Sequence, residues 1–129
     1  MSTRGPVVAI VDDDPRLLES LQDLLESAGY VARSFSSAGS LLGNGLSGVD
    51  VLITDIGMPG MDGFELRDLV KKVRPELPVF LITGRHEIAD RVPIQNISGF
   101  FRKPFDAKAL LAAVGGVLRD QKMEGKHEK

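Results

Sequence analysis

Four places in the chain put a chemically active side chain where an apolar run ends. Asp12 and Asp13 follow VVAIV, Asp55 follows VDVLIT, Thr83 closes VFLIT, and Lys103 follows GFFR. Carboxylates gathered in one place repel, and a hard divalent cation relieves the conflict. Mg²⁺ suits them, because it takes oxygen ligands in octahedral geometry and usually keeps water at the remaining positions. A hydroxyl donates one hydrogen bond, and an ammonium pairs with an anionic oxygen. Acids, hydroxyl and ammonium in one crevice would suit a metal and a phosphoryl group.

Such a crevice needs elements that bring the four ends together. Val7–Val11, Val49–Thr54 and Val79–Thr83 are short apolar runs without polar alternation. Runs of that kind are strands buried on both faces, as in parallel sheets. Further strands are predicted at Val31–Phe35 and Gly99–Arg102. Between the strands lie helical patterns. Leu17, Leu21, Leu24, Leu25 and Ala28 share one face, with Asp14 as N-cap, Pro15 at the first helical position and Gly29 just past the end. Leu66, Leu69, Val70 and Val73 form a second stripe, closed by Pro75. Leu110, Leu111, Val114, Val117 and Leu118 form a third. Helices are also predicted around Ser37–Leu42 and around Glu87–Val92, the latter meeting Pro93 and therefore short or kinked. Strand and helix alternate five times, which predicts a doubly wound α/β parallel sheet. In such sheets ligands bind outside the carboxyl ends of the strands, where all these residues lie.

Plainer roles compete for the same residues. Asp14 reads as a helix cap. Asp12 and Asp13 could equally be acids that favour a helix start through the macrodipole. Asp55 cannot cap a helix eight residues away. Gly57, Pro59, Gly60 and Gly63 fit turn punctuation, although Gly57 also lets backbone approach a ligand. Tyr30 and Phe35 read as core. Met58 and Met61 read as packing residues, since thioethers do not suit Mg²⁺. His86 reads as a solvated loop residue, Arg85 as a residue two positions past the Thr83 strand end for which an effect on the site is the lesser alternative, and His127 as part of the tail.

Composition sets outer bounds. The 129 residues suit one domain, and 43% hydrophobic content with a net charge of -2 is ordinary for a globular chain. Nothing in that charge suggests nucleic acid or an anionic membrane. The absence of cysteine removes disulfides and thiolate metal sites. No apolar run nears the ~20 residues of a membrane span, and the N-terminal apolar stretch is too short for a signal peptide. A cytoplasmic location is expected. The expected organisation is an N-terminal tail at 1–6, one domain at 7–120 and a charged tail at 121–129.

VDDD at 11–14, TDIGMPGMDG at 54–63, ITG at 82–84 and KPF at 103–105 resemble a response-regulator receiver domain of two-component signalling. The resemblance runs from Val7 to Leu118, and the ITG and KPF forms are most similar to the nitrogen-fixation type of regulator. It implies a flavodoxin-like (βα)5 fold with strand order 2-1-3-4-5. It implies that Asp55 accepts a phosphoryl group from a phosphohistidine on a sensor histidine kinase or phosphotransfer protein. Asp13, Asp55 and the backbone carbonyl of Gly57 would ligate Mg²⁺, with Asp12 acting through a bound water. Thr83 and Phe100 would be switch residues, Lys103 would contact the phosphoryl group, and Lys103–Pro104 would be a cis peptide bond. The implied protein is a signalling domain rather than an enzyme, with Mg²⁺-dependent transfer and self-dephosphorylation. Its output would pass to a protein target or fused output domain, with no direct nucleic-acid or membrane contact, and phosphorylation could produce a homodimer.

Some features depart from that family. The stretch from Thr83 to Lys103 is slightly short and carries Pro93 where a regular helix is expected. Phe100 lacks a tyrosine hydroxyl. Gly115–Gly116 weakens the last helix by roughly 1 kcal/mol per glycine relative to alanine. Rival functions fit less well. An aspartate-nucleophile phosphohydrolase would carry a second acid two residues after the nucleophile, but Asp55 is followed by Ile56-Gly57. A nucleotide or flavin binder would have a glycine- or hydroxyl-rich loop after the first strand, where DDDPRLL would repel phosphate. A receiver-like scaffold that signals without phosphate is opposed by the complete set of site residues.

Overall fold

The computed structural model describes residues 5–58, 60–83, 99–102 and 106–127. The elements are β1 (Val7–Val11), α1 (Pro15–Ser27), β2 (Val31–Phe35), α2 (Ala38–Asn44), β3 (Val51–Asp55), α3 (Gly63–Val73), β4 (Val79–Thr83), β5 (Gly99–Arg102) and α4 (Ala107–His127). All strand pairs are parallel, and the sheet order is β2-β1-β3-β4-β5. This is the flavodoxin-like arrangement expected of the sequence.

Alternate residues of each strand feed two separate cores. Val8, Ile10, Val51, Ile53, Phe80 and Ile82 pack with Leu21 and Leu25 of α1 and with Leu110 and Val114 of α4. Ala9, Val11, Leu52, Val79 and Leu81 pack on the other face with Ala38 and Leu41 of α2 and with Leu66 and Val70 of α3. Full burial of each large aliphatic side chain is worth about 1.5–3 kcal/mol. Burial on both faces explains why the strand sequences lack polar alternation.

Local signals set the helix ends. The Asp14 carboxylate accepts from the Arg16 N–H at 3.0 Å and caps α1, with Pro15 in the first turn. Beyond Ala28 the chain reverses at Gly29, whose φ of 95 lies in the left-handed region. Ser37 is the N-cap of α2, its Oγ accepting from the Ser40 N–H at 3.1 Å.

Several expected boundaries and faces shift. β3 begins at Val51 rather than Val49, because the chain is still turning there: Val49 N–H donates to Leu46 O, and Asp50 turns its carboxylate to the Val7 N–H at 2.7 Å. Asp55 is the last residue of the strand rather than the first after it. Leu66 and Val70 are fully buried, whereas Leu69 and Val73 are 37% and 69% exposed. The sheet covers one narrow face of α3, and the apolar stripe is wider than that face. α4 continues to His127 with Gly115 and Gly116 inside it. Tyr30, Phe35 and Met61 are partly buried against the cores, and Met58 is buried, as expected of packing residues. The helix predicted around Glu87–Val92 lies outside the described residues, as do Arg85, His86 and Pro93.

One cation holds the approach to β3. Arg74 Nη1 donates to the carbonyls of Leu46 and Val49 at 2.8 and 2.7 Å, while Nε donates to Glu76 at 2.9 Å. Arg74→Met keeps an apolar stem but removes the donor from two half-buried carbonyls. Hydrogen bonds to charged groups contribute about 1.5–3 kcal/mol, so an expected loss of about 2–4 kcal/mol allows for partial solvation. A lower denaturation midpoint at unchanged slope in urea would show it.

Candidate functional site

β1 and β3 are neighbours in space although a helix, a strand and a second helix separate them in sequence. Their carboxyl ends therefore bring Asp12, Asp13 and Asp55 together. Each offers one carboxylate oxygen, and these oxygens all lie within 4.8 Å of one another. Asp12 is fully buried, Asp55 is 5% exposed, and Asp13 opens to solvent. Two unit negative charges at that separation repel by about 3–4 kcal/mol at an effective dielectric constant near 20. The donors are all hard oxygens, the set that suits Mg²⁺.

Asp12 stands in the cluster and also helps to shape the start of α1. Its Oδ1 accepts from the Asp14 N–H at 2.8 Å, which shapes the start of α1, and its own N–H donates to Phe35 O at 3.1 Å. Asp14 itself caps the helix.

The other expected site residues divide into placed and unplaced. Thr83 is buried and ends β4, one position past the Asp55↔Ile82 pair, so it stands at the strand end beside Asp55. Gly57 is half-buried in the bend just after β3. The backbone of Phe100 lies in β5 opposite Leu81. Lys103 and Pro104 lie outside the described residues.

The loop after Asp55 is held by its own main chain. Ile56 N–H donates to Ile82 O at 2.9 Å, and Ile56 O accepts from the N–H groups of Met58 and Gly63, both at 3.0 Å. The buried Met58 side chain anchors the turn in the core.

Two residues of this site escaped the sequence reading. A Cβ at Gly63 would lie 2.5 Å from the Asp55 carbonyl oxygen and 2.8 Å from Ile56 Cα, so only glycine lets α3 start this close to the strand end. A signal for it was present in DGFE. Asp62 and Glu65 form a capping box, with side chain-to-backbone bonds of 2.9 and 3.0 Å, and that box marks Gly63 as the first helical residue. Thr54 was counted within an apolar strand, yet its hydroxyl bonds to the acidic residue beside it.

Comparisons with known proteins agree with this geometry. The family model described as the response regulator receiver domain matches residues 8–115. The response regulator protein TodT of Pseudomonas putida is 34% identical over 122 residues, covering 92% of this chain and 54% of TodT. The transcriptional regulatory protein FixJ of Bradyrhizobium diazoefficiens is 30% identical over 132 residues, covering 99% of this chain and 63% of FixJ. The chain thus spans just over half the length of these relatives. The crystal structure of a CheY-like response regulator receiver domain protein from Methanospirillum hungatei superposes with a TM-score of 0.83 at 28% identity, covering 95% of this chain and 99% of that one. An acidic crevice at the strand ends of a 2-1-3-4-5 sheet and these matches lead to one conclusion: the chain belongs to the family of response regulator receiver domains.

Proposed function

We propose that Asp55 accepts a phosphoryl group from a phosphohistidine on a sensor histidine kinase or phosphotransfer protein. The observation that carries this reading is the burial of Asp55 at the end of β3 with carboxylate oxygens of Asp12 and Asp13 within 4.8 Å. Asp13, Asp55 and the Gly57 carbonyl would hold Mg²⁺, with Asp12 acting through a bound water. When bound, the ion supplies neutralisation of anionic oxygens. A carboxylate can take a phosphoryl group from the labile P–N bond of phosphohistidine, because transfer depends mainly on positioning and charge neutralisation.

The product is an acyl phosphate, a labile mark suited to signalling. It replaces one negative charge at Asp55 with a phosphate group carrying about -1.5 to -2. Thr83 would donate its hydroxyl to the new group, Lys103 would pair with it, and Phe100 would follow as the switch aromatic. The change would then be read by a protein target or a fused output domain. A cytoplasmic location follows from this reading; among the described residues no helix is long and apolar enough to cross a membrane.

The test is incubation with a small phosphodonor and Mg²⁺, followed by intact-mass measurement. One phosphoryl addition is expected, and excess EDTA should suppress it. Equal labelling with and without the chelator would remove the metal from the proposal.

A further inference from the structure

We infer that Thr54 is a positioning residue for the acceptor Asp55, an inference that rests on the phosphoacceptor reading above. Thr54 is fully buried in β3, directly before Asp55. Its Oγ1 donates to the carbonyl oxygen of Asp55 at 3.1 Å. The side chains of adjacent strand residues point to opposite faces, so this hydroxyl does not reach the carboxylate cluster. It acts on the main chain of the residue that carries the reacting oxygen.

Ladder and loop both bear on that main chain. On the β1 side the register ends at Val11↔Thr54. On the β4 side pairing continues through Asp55↔Ile82. Asp55 thus stands at the end of the ladder. Two features meet at its carbonyl oxygen from within the loop and strand: the Thr54 hydroxyl and the bare Cα of Gly63. Together they limit rotation of the peptide that aims the carboxylate. Phosphoryl transfer requires the attacking oxygen nearly in line with the leaving group, so a small error in aim costs rate. The hydroxyl contributes nothing to charge in the crevice, so its loss should slow transfer through the aim of Asp55.

The test compares Thr54→Val, which keeps the branched shape without the hydroxyl, with Thr54→Ser, which restores the donor. Thr54→Ala serves as a second deletion of the hydroxyl should the valine variant fail to fold. Labelling rates with a small phosphodonor are measured by intact mass over a range of Mg²⁺ concentrations, after circular dichroism shows a native fold. The expected result is a rate at saturating Mg²⁺ lowered about tenfold in Thr54→Val, with recovery toward the wild-type rate in Thr54→Ser. Wild-type labelling rates in folded Thr54→Val or Thr54→Ala would overturn the inference, as would equal slowing in the serine variant. No label on Asp55 of the wild-type chain would instead overturn the phosphoacceptor reading beneath it.

Discussion

Asp55→Asn is expected to end phosphoryl labelling while leaving the fold intact. The amide has the shape of the carboxylate but no anionic oxygen to attack phosphorus. A fall of at least about 10³-fold is expected, equivalent to roughly 4 kcal/mol of barrier. The same change removes one of three clustered negative charges. The native state loses repulsion, so the melting midpoint should stay level or rise. This combination separates a chemical role from a structural one, because loss of a residue needed for packing would lower both activity and stability. Intact mass gives the extent of labelling, and peptide mapping gives its position. Label that persists in Asp55→Asn, on Asp12 or Asp13, would place the acceptor elsewhere.

Gly63→Ala carries the second large effect, this time on stability. Alanine is ordinarily the better helix residue by about 1 kcal/mol. Here its Cβ would meet Asp55 O at 2.5 Å, Ile56 Cα at 2.8 Å and Asp55 C at 3.1 Å. All three are backbone atoms and cannot rotate aside. Relief requires α3 to lift from the strand end, which strains the Gly63 N–H to Ile56 O bond. Overpacking costs about 1–3 kcal/mol in general, and a collision with backbone belongs at the top of that range. A loss of about 3 kcal/mol is expected in urea denaturation, with slower labelling because the displaced residue is the proposed acceptor. Unchanged stability would show that the helix start can shift freely and that the clamp on Asp55 is weak.

Local chemistry made much of this protein legible from its residues alone. Continuous apolar runs identified β1, β3 and β4, because burial on both faces removes the polar alternation a half-exposed strand would show. Asp14, Pro15 and Gly29 marked the ends of α1, because capping and left-handed turns depend on residues within one turn of helix. The types of the crevice residues, three acids and a hydroxyl at strand ends, were equally plain. Their meeting was a matter of tertiary structure. Asp12 and Asp55 share a crevice because β1 lies beside β3, and no local periodicity specifies which strands become neighbours. Contacts between distant segments decided the remainder. The stripe on α3 predicted four buried positions, but the sheet covers Leu66 and Val70 and leaves Leu69 and Val73 exposed. Gly63 looked like turn punctuation until α3 was seated against Asp55 O, and Thr54 looked apolar by association until its hydroxyl was given a partner. Residue type and short spacing settle which element forms, whereas what an element touches depends on the packing of segments far apart in the chain.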